Sequence, residues 1–335
     1  MARVGIDARL TRQMSVGMKH YTRELLARAA LLRPEVELLP CGSGENFSLA
    51  EQVGLPLAFA RARVRLVHYP TQYLPLFRPI PYVLTIHDLI HCRFAELYEA
   101  KVAWYYRMVV APAARAAKRI IVGDERNIED CERYLGVDAR MIRVVPLGVG
   151  AAFLAPVICA TQRAPYLFYA GNHREHKDLP TLLEAWSSLE QAFHFDLLLT
   201  GDADASIDRE RYERYGRRLI FVGDLNEEDL IECYTGATAL VHPALWEGFG
   251  LTMLEAMALG TPVVACSDAI ARPLAAAAFT FPPRDAAALR AAIERVASDP
   301  TEREERVRAG RAAAMELTWD RFAYRIAAVY AEVLS

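Results

Sequence analysis

Two successive series of short apolar runs predict a doubly wound α/β protein made of two Rossmann-like domains. The first series is "RVGID" (3–7), "VELLP" (36–40), "VRLVH" (64–68), "YVLTIH" (82–87), "RIIV" (119–122) and "IRVVP" (142–146). The second is "YLFYA" (166–170), "FDLLLT" (195–200), "RLIFV" (218–222), "TALVH" (238–242), "PVVAC" (262–266) and "AFTF" (278–281). Near-continuous apolar strands separated by helical stretches signify parallel sheets covered on both faces. A length of 335 residues suits two such domains. Periodicity lapses over 147–163, where Gly and Pro appear, so the domains are placed at 1–157 and 158–318. The last segment, "WDRFAYRIAAVYAEVL" (319–334), has apolar residues at helical spacing. It is read as a terminal helix (319–335) crossing back to the first domain.

Composition narrows the class. With 53% apolar and 24% charged residues, the chain has a globular balance and not a disordered or fibrous one. No apolar run is long enough to span a bilayer. The N-terminus "MARVGIDARL" lacks a signal-peptide layout, because Asp7 and Arg9 interrupt it, so a cytoplasmic location is expected. Six scattered cysteines without a CxxC read as reduced thiols, neither a disulfide framework nor a zinc site. The net charge of −3 hides an asymmetry: residues 1–158 hold 21 Lys/Arg against 15 Asp/Glu, net +6, and the remainder is −9. A basic first half facing an anionic membrane or acceptor fits this, as does ordinary surface charge. No dense Lys/Arg stripe points to nucleic acid.

Ligands of open parallel sheets bind beyond the carboxyl ends of the strands, which singles out the loops after Asp7, Ile86, Ala170 and Val241. After the first strand, "SVGMKHYTRELL" (15–26) sets a glycine before a helix but is not a GxGxxG dinucleotide fingerprint. "YVLTIHDLIHCRF" (82–94) puts His87 and Asp88 at a strand end. His87 and His91 lack a third ligand, so no metal is expected there. "AKVAWYYRMVVAPAARAAKR" (100–119) mixes Trp, Tyr and basic residues as a helix on anionic lipid does, although a packed helix accounts for it too.

In the second series, "GNHREHKDLPTLLEAW" (171–186) puts Lys177 near a helix start, where a cation suits a diphosphate and a merely solvated lysine would oppose the helix dipole. "HPALWEGFGLTMLEAMALGTPVV" (242–264) carries two glutamates. Thr252 and Glu255 have capping-box spacing, and Gly260 with Pro262 marks a helix stop. Glu255 thus has a structural explanation, whereas Glu247 lies in the loop ahead of the Gly248-Phe249-Gly250 turn and has none. That turn exposes N–H groups at a helix start, a ready anion site. Carboxylates flanking an anion site make sense if the ligand is a sugar nucleotide.

The stretch "EGFGLTMLE" followed by "AMALGTPVVA" closely resembles the signature of the family-4 glycosyltransferases, retaining enzymes of the GT-B fold. The resemblance covers nearly the whole chain and is strongest over 166–265. It implies Glu247 at the donor sugar and Glu255 at the ribose, with backbone N–H groups of Gly248, Phe249, Gly250 and Leu251 on the donor. It implies Lys177 on the departing diphosphate; the family's arginine position is Asn172 here, with Arg174 as a substitute nearby. It likewise implies His87 beside the reacting carbon, Gly17 in a loop closing on the diphosphate, and Lys19, His20, Tyr21 and Asp88 at the acceptor. An ordinary amphipathic helix start accounts for Lys19, His20 and Tyr21 equally well. Thr252 stands where many relatives have proline. Asp202-Ala203-Asp204 has the DxD spacing of metal-dependent glycosyltransferases of another fold and is read instead as a loop near the base.

The expected activity is metal-independent hexosyl transfer, with retention and no cofactor, from a nucleoside-diphosphate sugar to a glycan or lipid-linked acceptor. GDP-mannose is favoured over UDP-glucose, because the "TIHDL" and "GNHREHKDL" segments resemble cell-surface mannosyltransferases. The expected partners are nucleotide sugar, acceptor and, through the basic first domain, a peripheral anionic membrane surface. The rival readings are a GT-B epimerase or phosphorylase, and a non-catalytic partner subunit, which Asn172 keeps open.

Overall fold

The computed structural model describes residues 2–32, 36–155, 164–202, 207, 209–213 and 216–335. They fall into two compact units, one of 1–148 with 317–335 and one of 149–316. Within the break expected over 147–163, residues 156–163 lie outside the described residues.

Every run singled out above forms a strand: β1 (Ala2–Asp7), β2 (Val36–Cys41), β3 (Leu66–Tyr69), β4 (Tyr82–Thr85), β5 (Arg119–Val122) and β6 (Ile142–Val144) in the first unit. The second holds β7 (Tyr166–Tyr169), β8 (Asp196–Leu199), β9 (Leu219–Phe221), β10 (Ala239–His242), β11 (Val263–Cys266) and β12 (Phe279–Phe281). Each set makes one six-stranded parallel sheet, ordered β2-β1-β3-β4-β5-β6 and β12-β11-β10-β7-β8-β9.

The continuous apolar character of the strands follows from cover on both faces. In β7, Leu167 and Tyr169 join the core with Leu182 and Trp186 of helix Leu179–Ser187. On the other face Phe168 meets Tyr234 of helix Glu227–Gly236, ring centroids 5.3 Å apart. The first sheet buries Val67, Leu84, Ile120 and Val122 in the same way.

Helix Trp319–Leu334 belongs to the first unit. Thr318 caps it by accepting the Arg321 N–H, and Trp319, Phe322, Ala323, Ile326, Val329 and Tyr330 form its buried stripe. A Cβ on Gly148 would lie 2.1 Å from the Trp319 nitrogen, so only glycine permits this approach. In the second sheet the chain runs from β7 outward to β9 and then returns to β10 on the other side, so the loops after β7 and β10 part at a topological switch point.

Candidate active site

The loop after β10 is anchored by apolar side chains: Leu245, Trp246 and Phe249 are all buried. The Leu245 N–H donates to the His176 carbonyl (2.8 Å), tying this loop to the one after β7. Glu247 is left facing the switch point. Its Oε1 receives the Lys177 ammonium and also the His242 Nε2 at 3.1 Å. The side chains of Lys177 and Glu247 keep 12% and 16% of their surface exposed, so the pair is mostly but not wholly withdrawn from water. Burial pushes the Glu247 carboxyl up, but Lys177 and His242 outweigh it and hold the group well below the ordinary carboxylate range. His242 Nδ1 is buried with no hydrogen-bond partner among the described residues. The part played by His242 was missed from the sequence, although a strand-end histidine five residues before the glutamate was a readable signal.

The capping box is not formed. Gly250 is the N-cap of helix Leu251–Leu259, at φ 91° and ψ 61°, and no side chain caps this end. Thr252 and Glu255 therefore sit two positions too far along the helix to form the box. The φ of 91° requires glycine at Gly250 on conformational grounds; an added Cβ would come within 2.2 Å only of Met253 Cε, the end of a flexible side chain that can turn aside. The first N–H groups of an α-helix have no intrahelical acceptor, which leaves those of Leu251 and Thr252 open at this end. At the other end, Gly260 at φ 84° stops the helix as expected, and Arg311 Nη2 donates to the Leu259 carbonyl. Glu255 is 8% exposed and its Oε2 accepts the Tyr234 hydroxyl at 3.1 Å.

In the loop after β7, the Asn172 side chain accepts the Arg174 N–H at 3.3 Å, and Asn172 and Arg174 are both exposed. Arg174 makes no ion pair among the described residues, so the structure joins Lys177 to Glu247 but leaves Arg174 apart. Asp202 is exposed; Ala203 and Asp204 lie outside the described residues. Among the described residues, no group of three or more His, Cys, Asp or Glu side chains is placed to hold a metal ion.

In the first unit, the partly buried His87 donates from Nε2 to the Pro70 carbonyl at 2.8 Å. Burial lowers its pKa to about 4, with the Pro70 carbonyl partly opposing, so the ring is neutral near pH 7 and presents Nδ1 as an acceptor. Its ring stands edge-on to Tyr21, centroids 5.0 Å apart. Tyr21 is only 1% exposed and bonds Thr85 Oγ1 at 2.9 Å; Thr85 in turn bonds His68 Nε2 (2.8 Å), whose Nδ1 bonds the Tyr330 hydroxyl (2.6 Å). The assignment of Tyr21 to the acceptor is therefore corrected: it is a core residue supporting His87. Gly17 is not in a loop either; it is the second residue of helix Val16–Ala27, which Ser15 caps by accepting the Met18 N–H. Lys19 is partly exposed. His20 lies 3.3 Å from Glu24 and stacks on Trp319, and the Asp88 carboxylate accepts the Ile90 N–H (3.1 Å).

Sequence reasoning also overlooked a buried ion cluster at the end of β1. Arg9 donates to both Asp7 oxygens (2.9 and 2.7 Å) and to Glu51 (3.3 Å), and Glu51 accepts the Phe47 N–H. The cluster pins the loop after β2.

Comparison with known proteins agrees with this fold. The sequence model of Glycosyl transferases group 1 matches residues 159–314, and that of Glycosyltransferase Family 4 matches residues 14–153. The chain is 27% identical to O-antigen chain mannosyltransferase B of Escherichia coli over 357 residues, covering 91% of this chain and 93% of that protein. Its fold is shared with sucrose-phosphate synthase from Thermosynechococcus elongatus (TM-score 0.78, 20% identity, 100% and 99% of the two chains). It is shared too with Anabaena HepE in complex with UDP-glucose (TM-score 0.75, 17% identity, 99% and 100%). The chain belongs to the group 1, family-4 glycosyltransferases and is an enzyme of the GT-B fold.

Proposed function

We propose that this glycosyltransferase moves a hexosyl group from a nucleoside-diphosphate sugar to a glycan or lipid-linked acceptor, with retention at the anomeric carbon and without a metal or other cofactor. The observation that carries the reading is the Lys177–Glu247–His242 cluster at the switch point of the second sheet, beside the uncapped start of helix Leu251–Leu259.

In this reading the second unit (149–316) takes the donor and the first unit takes the acceptor. Lys177 and the helix-start N–H groups meet the diphosphate charge. Glu247, held ionised, accepts hydrogen bonds from sugar hydroxyls, and His242 fixes its orientation. Glu255 is assigned to the ribose, with the Tyr234 bond setting its carboxylate. Asn172 and Arg174 line the exposed rim of the same loop.

A carboxylate this firmly stabilised is a weak base and a weak nucleophile, which argues against a glycosyl–enzyme intermediate on Glu247. The remaining route to retention is displacement on one face. The bond from the anomeric carbon to the phosphate oxygen breaks and the acceptor oxygen bonds to the same face. The acceptor proton passes to the departing phosphate oxygen. The neutral His87 ring, with Nδ1 as acceptor, suits a contact with a sugar hydroxyl and not proton donation. GDP-mannose is the favoured donor, in line with the mannosyltransferase named above; UDP-glucose, bound by HepE, is next.

The test is a thermal-shift and consumption screen over GDP-, UDP- and ADP-sugars with EDTA present, repeated with Glu247→Ala. One nucleotide sugar should stabilise and be consumed by the wild type and not by the variant. Stabilisation by none of them, or a strict need for divalent metal, overturns the reading.

A further inference from the structure

The two faces of the first sheet differ where β3 and β4 run side by side. His68 of β3 lies opposite Val83 of β4, so His68, Val83 and Thr85 point to one side, with His87 two residues further on. Val67, Tyr69, Tyr82, Leu84 and Ile86 belong to the apolar core on the opposite side. Two helices bring hydroxyl groups to the polar side: Tyr21 from helix Val16–Ala27 and Tyr330 from helix Trp319–Leu334. Tyr21, His68, Thr85 and Tyr330 are buried, and His87 alone of the five is partly exposed.

The four buried side chains make one continuous chain. The Tyr330 hydroxyl bonds His68 Nδ1 (2.6 Å), His68 Nε2 bonds Thr85 Oγ1 (2.8 Å), and Thr85 Oγ1 bonds the Tyr21 hydroxyl (2.9 Å). Burial, with His87 nearby as the lesser cause, lowers the His68 pKa to about 3, so the ring is neutral. A neutral imidazole donates from one nitrogen and accepts at the other, so the donors run in one direction along the chain. Removing any hydroxyl leaves a polar atom of its neighbour away from water and unpaired. Val in place of Thr85 and Phe in place of the tyrosines would fill the same space with no such atoms to satisfy. Packing alone does not account for the chain.

Its partly exposed end does. His87 Nε2 donates to the Pro70 carbonyl at 2.8 Å, and a single hydrogen bond leaves a ring free to turn about the bond's own direction. The Tyr21 ring stands edge-on to His87 (5.0 Å) and blocks that turn, which sets where Nδ1 points. Tyr21 is itself held at two places, by Phe322 edge-on at 4.9 Å and by the Thr85 bond at its hydroxyl. The helix that carries Phe322 and Tyr330 is fixed to the same unit by ion pairs. Glu332 accepts from Arg119 (2.6 Å) and Arg143 (2.9 Å), and Asp320 accepts from Arg28 (2.6 Å). Side chains locked in this way hold a functional group to the fraction of an ångström that chemistry requires.

We propose that Tyr330, His68 and Thr85 are positioning residues for His87, their hydrogen-bonded chain fixing Tyr21 so that its ring edge sets the plane of the His87 imidazole. A second clause rests on the transferase reading above: the chain thereby aims Nδ1 at the sugar and sustains turnover without contributing to nucleotide-sugar affinity.

The experiment compares Thr85→Val, Thr85→Ser and Tyr330→Phe with wild type, at a temperature where circular dichroism shows all of them folded. Isotope-labelled histidine rings are read by long-range proton–nitrogen NMR, with the His87 signals assigned through His87→Gln. Thr85→Val and Tyr330→Phe should shift or broaden the His87 signals, and Thr85→Ser, which keeps the hydroxyl, should restore them. GDP-mannose turnover, with UDP-glucose in parallel, should fall about 10- to 100-fold in kcat for the same two variants and recover in Thr85→Ser. KM for the nucleotide sugar should stay within about twofold. Thr22→Val removes another buried hydroxyl of the Tyr21 helix, one bonded only to the Met18 carbonyl of its own helix, and should change neither readout. The proposal is overturned by His87 signals that do not move, by unchanged kcat, by Thr85→Ser failing as badly as Thr85→Val, or by Thr22→Val acting like them. The NMR comparison contains no nucleotide sugar. Wild type that consumes neither sugar nucleotide sinks the transferase reading and the second clause, whereas unmoved His87 signals sink the chain's hold on the ring.

Discussion

Replacing Glu247 by Gln removes one charge from a pair whose members keep only 12% and 16% side-chain exposure, leaving the Lys177 ammonium without its counter-charge. Breaking a fully buried pair costs about 3–5 kcal/mol. The remaining solvent access here lowers that to about 2–3 kcal/mol, which in a unit of this size is a fall in Tm of roughly 5–10 °C. Lys177→Met should cost a similar amount. The double variant, with both charges gone and the volumes kept, should recover about 2 kcal/mol relative to the sum of the singles. Urea unfolding of the four proteins measures this cycle. The pH dependence follows from the depressed carboxyl. As pH falls, the unfolded chain takes up the Glu247 proton first, near a pKa of about 4.3. The advantage of wild type over Glu247→Gln should therefore hold down to about pH 5 and shrink below about 4.3. The same substitution should lower kcat/KM about 100- to 1000-fold. A coupling energy under about 0.5 kcal/mol would refute the pairing, and full activity in Glu247→Gln would refute the role.

Other consequences can be checked on the same footing. Gly148→Ala forces a Cβ to 2.1 Å from the Trp319 backbone, which cannot swing aside, so urea unfolding should show a loss of about 3 kcal/mol or more. Gly250→Ala puts a side chain at φ 91° against Met253; it should destabilise by about 1–3 kcal/mol and abolish nucleotide-sugar binding in calorimetry. His68 and His87, with pKa values lowered by burial to about 3 and about 4, fold neutral and take up protons on unfolding. Stability of the first unit should fall with acidification from about pH 6.5, at up to about 1.4 kcal/mol per pH unit for each ring, and His87→Gln should flatten the slope.

The strands were legible because sheets covered on both faces leave continuous apolar runs, and all twelve formed. Positions within helices were less so. Thr252 and Glu255 matched a capping box by spacing, but a glycine at φ 91° can itself hold the N-cap and shift the register by two residues, which no spacing rule detects. Tyr21 was misassigned although the signal was present: Met18, Tyr21, Thr22 and Leu25 recur at the i, i+3, i+4, i+7 spacing of a buried stripe. Glu247 stood out because nothing local explained it. Its pairing with Lys177, 70 residues away, depends on the switch-point topology. The Tyr330–His68–Thr85–Tyr21 chain spans more than 300 positions and has no local signature.

The terminal helix has a consequence for the order of synthesis. The second unit is one uninterrupted stretch, 149–316, and can assemble as soon as it leaves the ribosome. The first unit, made earlier, waits for residues 317–335 to deliver Phe322 against Tyr21, Glu332 to Arg119, and Tyr330 to His68. The part of the chain translated first is thus finished last. Its nascent form holds an uncovered apolar slot throughout translation of the second unit, and a premature stop near residue 317 would injure the N-terminal unit while sparing the other.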